Sequence, residues 1–526
     1  MVPLEVVELI QMVQSFLPAR EAARTMVLSK LWLYAWSTSP SLRISCDTTS
    51  RSYIRTKWLE AMLISRHNYL STLSVKVDPN FFSSHVILWV PPAVTNCVSL
   101  RVLELVKVYI SQDVLDNLFS TCTLLEVINV RFLNILDTIK VRRLRFLRDL
   151  KIVPPREDIK LEIDDVPCLC SFAYMSKPWV SAGFGFSERC RGLEYGLAAN
   201  SDSFASVRHL CLSKVIMNRT LLDTINSVFP FLESLTIDME CCWLTCMEIT
   251  CTSLKRLKLV WTEDSYVNRD YASLKFICPS RLLFFRYEGF KMPILSFPTS
   301  ALKEIEIILK LRLSCTYSTS SFFTRIWEAF NISSKVKIEV INMPDDYVVP
   351  YNINLNLKPA TNVEEITFKN FSSKDLWDHS SSPFDAFISI CHPKYVKVSS
   401  IQDNHSLKLV EEAMIKWTRS RSDLKDVEMK NDRNGRWETL KNAPISSSSV
   451  EGYGLSCDLY TYFSGTFKLN WKLVVEAMIK WTSGWSDLKD VEIKNDSNGM
   501  KDGPINFIEV LRCDPYGYTA VFKLNW

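Results

Sequence analysis

The stretch LRVLELVKVYISQDVLDNLFSTCTLLEVINV, Leu100–Val130, decides the fold. It holds the pattern L-x-x-L-x-L twice, as Leu100-Leu103-Leu105 and Leu125-Ile128-Val130, with starts 25 residues apart. In an extended strand alternate side chains share a face, so the last two apolar positions of each motif point the same way. Between the motifs, Asp113 to Phe119 carries apolar residues at helical spacing. A short strand, a helical return and a second short strand follow in order.

The pattern spreads outward in both directions. Upstream stands Leu70-Leu73-Val75. Downstream come Leu147-Leu150-Ile152, Leu169-Phe172-Tyr174, Val207-Leu210-Leu212, Leu232-Leu235-Ile237, Leu254-Leu257-Leu259, Leu282-Phe285-Tyr287 and Leu302-Ile305-Ile307, with a weaker copy at Val363-Ile366-Phe368. The starts at 100, 125, 147 and 169 are 25, 22 and 22 residues apart, and those at 207, 232 and 254 are 25 and 22 apart. A period in the low twenties with this pattern is the signature of leucine-rich repeats. One unit cannot bury its apolar face, whereas stacked units can. The expected architecture is α/β: a short N-terminal three-helix module followed by an irregular leucine-rich-repeat solenoid with a parallel sheet, continuous from about Leu70 to at least Phe368. Leu221 to Val228 reads as a second helical return. A doubly wound α/β domain fits less well, because the strands are short and evenly spaced and no Gly-rich phosphate loop follows any of them.

Composition limits the function classes. The 526 residues are 47% hydrophobic and 23% charged, near the globular average, which argues against disorder. A net charge of +4 is small for this length and gives no warrant for a nucleic acid or an anionic membrane as partner. The densest of the 16 cysteines, Cys241, Cys242, Cys246 and Cys251, lack paired zinc spacing and a nearby histidine. They read as small hydrophobes in a reducing interior. No run approaches the ~18 apolar residues of a membrane span, and Glu5 and Glu8 interrupt the N-terminal apolar stretch, so a signal peptide is not expected. Cytoplasm or nucleus is the default location. No hydrolase elbow, zinc-protease, phosphate-loop or calcium-loop motif occurs, and neither a catalytic residue nor a cofactor or metal is expected. His209, beside a repeat strand, reads as structural. Arg142, Arg143, Arg145 and Arg148, interleaved with Leu144, Phe146 and Leu147, read as the solvated face of a repeat.

Near the C-terminus the sequence repeats itself. Leu409–Gly435 reappears as Leu473–Gly499 with about 21 of 27 positions identical, and each copy later closes on FKLNW, at Phe467–Trp471 and Phe522–Trp526. Each copy reads as a helix, a repeat strand and an Asn-Gly hairpin turn. The second, a terminal unit following a terminal unit, is expected to stack marginally and to be dispensable for folding.

The first 42 residues are a different kind of segment. Leu4, Val7, Ile10, Val13 and Phe16/Leu17 recur at helical spacing, with Glu5, Glu8, Gln11 and Gln14 between them. Leu17-Pro18 ends that helix, because the residue before proline disfavours the helical region, and Pro18 can open the next, about Ala19 to Ser29. Ser29-Lys30 is a second joint, after which Leu31 to Ser37 carries Trp32, Tyr34 and Trp36. So small a module cannot bury all of these side chains by itself. The surplus either packs on the next domain or forms a docking surface.

The segment SFLPAREAARTMVLSKLWLYAWSTSPSL, Ser15–Leu42, resembles the F-box of plant F-box/leucine-rich-repeat proteins. It shares the S-F-L-P joint, E-A-A-R-T, the L-S-K joint and the spaced tryptophans followed by P-x-L. It departs in the shortness of the segment before Leu17-Pro18 and in Leu31, where that family commonly has a basic or polar residue. VFPFLESLTI (Val228–Ile237), TSLKRLKLV (Thr252–Val260) and CHPKYVKVSS (Cys391–Ser400) extend the resemblance. It implies a non-catalytic substrate receptor of a Skp–cullin–F-box ubiquitin ligase. The F-box would bind a Skp-type adaptor, and through it a cullin-RING ligase, while the repeats hold a target protein. The adaptor interface would draw on Pro3, Leu4, Ile10, Phe16, Leu17, Pro18, Leu28, Trp32 and Trp36. The implied organisation is an F-box-like module at 1–44, a helical linker at 45–69, the solenoid at 70–400, the first C-terminal repeat and hairpin module at 401–471 and its duplicate at 472–526. A ligase-independent repeat scaffold and an unrecognised enzyme are the rival readings.

Overall fold

In the computed structural model, residues 4–401 are described except 18, 47–54, 78–89, 134–135, 155–158, 177–192, 194–196, 198–200, 243, 262–274, 290–291, 298–301, 313–318, 333–334, 344–357, 370–386 and 389. Beyond 401 the description covers 414, 426–430, 437–439 and 518–525. The chain divides into two compact units, and the one containing these residues comprises Met1–Lys441 with Tyr518–Trp526. The other, Asn442–Gly517, lies outside the described residues, as do most of the two expected C-terminal modules.

The repeat motif becomes a single sheet. Leu103, Ile128 and Leu150 lie side by side on adjacent parallel strands, Val102–Val108, Val127–Phe132 and Asp149–Val153. Among the described residues the sheet has 17 strands, of which the first 14 in chain order through it are parallel, giving a solenoid-like α/β fold with few helices. One inward row runs in register through Ile44, Val75, Leu105, Val130, Ile152 and Tyr174. It continues through Leu212, Ile237, Leu259, Tyr287, Ile307, Ile338, Ile366 and Val396. Every residue in this row is buried. The period-2 alternation thus puts one face of each strand into a continuous core and leaves the other open.

The sheet starts earlier than the motif count implies. Ser41–Cys46 is its first strand and pairs with Thr72–Val77, so the chain enters the sheet before the expected boundary at 44. Leu42 and Ile44 carry the inward alternation, but the leading leucine of the motif is missing, and the sequence pattern passes over the strand. Val336–Met343 is a second such strand.

The length of a repeat decides how the chain returns across the back of the sheet. Where starts are 25 residues apart, the return is a helix, Gln112–Thr121 or Arg219–Val228, as the helical spacing indicates. Ser111 and Asn218 cap these helices by accepting from the amides of Val114 and Leu221. Where starts are 22 apart, the return is a strand: Thr138–Arg142, Lys160–Asp164 or Cys246–Glu248. Ten helical residues advance about 15 Å and five extended ones about 16 Å, so both span the same width with different residue counts. The return strands pair with each other, Thr138–Arg142 with Lys160–Asp164, and Cys246–Glu248 with Lys275–Ile277 and then Ile294–Ser296. Among the described residues, non-glycine residues turn some of the tight corners. Lys107, Arg143, Asp165 and Lys214 take left-handed backbone conformations with φ of 59°, 59°, 52° and 58°. Lys107 and Lys214 lie at equivalent positions, each four residues before a helix N-cap.

Gly289, the last residue of the strand Phe284–Gly289, is a position where a side chain is sterically barred. A Cβ there would lie 2.9 Å from Cζ of the fully buried Tyr287 and 3.3 Å from Cβ of Trp261. Gly289→Ala is expected to destabilise the fold by about 1–3 kcal/mol through overpacking. Denaturant unfolding checks this, and a midpoint equal to that of the unsubstituted chain would refute it.

Candidate functional site

The N-terminal residues form helices Leu4–Ser15, Ala19–Arg24 and Lys30–Thr38, with a short 3-10 turn at Thr25–Val27. Ser29 caps the last of these, accepting from the amide of Trp32. Val7, Ile10 and Ala35 form a small core against which Leu31 and Trp32 pack. Two glutamines pin the helices together. Gln11 donates to the Ala35 carbonyl at 3.2 Å and to Thr38 Oγ1 at 3.1 Å. Gln14, buried, donates to Thr25 Oγ1 at 2.8 Å, and Thr25 in turn donates to the Ala22 carbonyl. Gln14 reads from the sequence as part of a polar outer stripe. Packing against the third helix, which a single-helix pattern does not contain, buries it.

The nine residues singled out from the sequence separate into groups. Ile10 is buried in the module's own core and Trp36 is buried beneath Arg66, so neither offers its side chain to a partner. Leu17 and Trp32 are half-buried. Phe16 and Leu28 are exposed, at 76% and 44%. Pro3 and Pro18 lie outside the described residues; Leu4 is in the first helix, and its side chain is not among those described. The nine leave out Met12, Val27, Leu33 and Tyr34, all exposed apolar or aromatic side chains, Val27 at 87%. They fall between the core positions of each helix. That off-face spacing was the available signal. The result is a small helical module whose own core is closed and whose surface still carries at least six large apolar groups, more than solubility favours.

Trp36 and Arg66 tie this module to the sheet. Arg66 ends the helix Arg55–Arg66 and is fully buried. Its guanidinium lies 3.7 Å from the Trp36 ring centroid and donates through Nη1 to the Ser41 carbonyl of the first strand. Nε and Nη2 have no hydrogen-bond partner. Desolvation lowers the Arg66 pKa to about 10.

The open face of the sheet is polar. Glu104 accepts from Ser74 at 2.8 Å and from Asn129 at 2.9 Å, and pairs with Lys76 at 3.0 Å, which together hold its carboxyl below the usual range despite partial burial. Further along, Arg286–Glu306, Lys310–Glu288, Lys369–Glu339 and Lys397–Glu365 cross between neighbouring strands at 2.8–2.9 Å. His209, read as structural, is exposed on this face at the first position of its strand. Arg142, Arg143, Arg145 and Arg148 are exposed around buried Leu144 and Leu147.

Cys242 and Cys251 are buried while Cys246 is exposed, and burial pushes the Cys251 thiol up to about 11, which keeps it protonated. Among the described residues no group of three or more histidine, cysteine or acidic side chains is placed to hold a metal ion, and no helix is long and apolar enough to cross a membrane. No protein-family model matches the sequence, and no curated protein matches it.

Proposed function

We propose that the chain is a non-catalytic substrate receptor of a Skp–cullin–F-box ubiquitin ligase, acting in the cytoplasm or nucleus. Its N-terminal helices would dock a Skp-type adaptor, and its solenoid, as a leucine-rich-repeat surface, would hold the target protein. The observation that carries this reading is the exposed apolar set, Phe16, Leu28, Met12, Val27, Leu33 and Tyr34, on a helical module whose own core is already closed. Such a surface suits a protein partner, since large exposed apolar side chains become anchors when desolvated. The resemblance of Ser15–Leu42 to an F-box says which partner. The clamp at Arg66 suits the role as well, because a receptor works by holding its target at a fixed distance from the ubiquitin donor.

The test is a binding titration between the purified chain and a purified Skp-type adaptor. Phe16→Ser combined with Leu28→Ser is expected to remove about 2–4 kcal/mol of affinity while leaving the melting temperature unchanged, since both side chains are exposed. No adaptor binding by the unsubstituted chain would overturn the proposal and leave a ligase-independent scaffold as the better reading.

A further inference from the structure

A second surface, on the sheet edge where the strands begin, combines a cleft, an apolar anchor point and unbalanced positive charge. Arg208, Glu233, Lys255 and Leu283 each immediately precede a strand: His209–Met217, Ser234–Cys242, Arg256–Trp261 and Phe284–Gly289. Their backbones are stitched together. The amide of Glu233 donates to the Arg208 carbonyl, that of Lys255 to Glu233, and that of Leu283 to Lys255, at 2.8–2.9 Å. The four side chains therefore form a row with the spacing of neighbouring strands, about 4.8 Å. Two residues earlier in three of the same repeats stand Phe231, Ser253 and Arg281, a second row beside the first. Residues of both rows line an open cleft of about 510 Å³, within the range of ligand-binding sites.

Phe231 is 61% exposed at its wall, and Leu283 is also exposed. Nothing in the repeat requires an aromatic at that position; the equivalent residue of the next unit is Ser253. Three cations, Arg208, Lys255 and Arg281, face one carboxylate, Glu233, which Lys255 contacts at 2.9 Å and Arg208 at 3.4 Å. Arg281 has no ion-pair partner among the described residues.

We infer that this cleft binds a short acidic peptide segment carrying one aromatic or large aliphatic side chain. The apolar side chain would lie against Phe231 and Leu283, and the flanking carboxylates would meet Arg281 and the Arg208/Lys255 pair. Glu233 argues for peptide over nucleic acid. It sits in the middle of the cation row, where a chain with a phosphate at every unit would be repelled, while a peptide can place a neutral residue there. The inference is independent of adaptor binding.

Fluorescence anisotropy of a labelled Asp-Asp-Trp-Glu-Asp peptide with the full chain tests it. Saturable binding is expected that weakens with salt. Phe231→Ser and Arg281→Glu should each weaken it about tenfold or more without altering the melting temperature or adaptor binding. A Lys-Lys-Trp-Lys-Lys peptide should not bind. Absence of binding, binding that both substitutions leave unchanged, or equally tight binding of a poly-dT oligonucleotide at this cleft would each overturn the inference. Because adaptor binding is measured on the same variants, failure here is distinguishable from failure of the ligase reading.

Discussion

Arg66→Ala is expected to destabilise the folded chain by about 2–5 kcal/mol, while Arg66→Met should remain within about 1 kcal/mol of the unsubstituted protein. The alanine variant loses the guanidinium over Trp36 and leaves a cavity where a fully buried long side chain stood. Methionine retains most of the stem's volume. It forfeits a desolvated cation–π contact worth about 2 kcal/mol but also removes a charge held in an unfavourable place. A pKa lowered from the ordinary arginine value to about 10 corresponds to about 3 kcal/mol against the charged form in the folded state. Two of the guanidinium nitrogens gain no hydrogen bond in return.

The same shift carries a pH signature. Above pH 10 the unfolded chain holds the Arg66 proton more tightly than the folded chain, so this residue's contribution to stability rises as pH climbs past 10 and is lost as pH falls through 10. The difference in unfolding free energy between the unsubstituted chain and Arg66→Met should therefore move in favour of arginine above pH 10. A flat difference would show that the charge is not desolvated as described. If Arg66→Ala unfolds at the same denaturant concentration as the unsubstituted chain, the clamp between the N-terminal helices and the first strand is not a source of stability.

The second large effect concerns the end of the chain. Tyr518–Asn525, from the duplicate expected to be dispensable, is built into the sheet between two strands. It runs antiparallel to Tyr395–Ile401, with Val396 opposite Phe522 and Val398 opposite Ala520, and antiparallel to Asp426–Lys430, with Val427 opposite Leu524. It thereby covers the edge of the last parallel strand, which would otherwise present unpaired amides and carbonyls.

A graded series of truncations tests its role. A chain ending at Tyr462 lacks both FKLNW segments and should aggregate and melt several degrees lower than the full chain. A chain ending at Trp471 keeps one FKLNW and should fall between the two. Its preceding residues, Phe463-Ser464-Gly465-Thr466, include a glycine and suit a strand less well than Tyr518-Thr519-Ala520-Val521. Equal melting temperature and solubility across the three lengths would mean that the last strand contributes nothing.

Much of this fold was readable before any coordinates. The eleven L-x-x-L-x-L units name inward residues such as Leu103, Ile128 and Leu150, and all are buried in one sheet. That succeeds because a strand's alternation and a stack's period are local properties of the chain. The helical returns were readable for the same reason. The strand returns were less so, although Thr138–Arg142 and Lys160–Asp164 show period-2 alternation; five residues are too few to stand out from their surroundings.

Other features depend on partners distant in sequence. The sequence marked Ile10, Phe16, Leu28 and Trp36 alike as interface candidates, but only tertiary packing turned Ile10 into the helical core and Trp36 beneath Arg66 and left Phe16 and Leu28 in solvent. Arg66 looks like any basic residue at a helix end until Trp36 and Ser41 close over it. The place of Tyr518–Asn525 beside Tyr395–Ile401, more than a hundred residues earlier, is likewise set by a free sheet edge that no local pattern records. Periodicity determined which residues face the core of each unit. Tertiary packing decided which surplus apolar groups remain outside, because burial there is a property of neighbours and not of the segment itself.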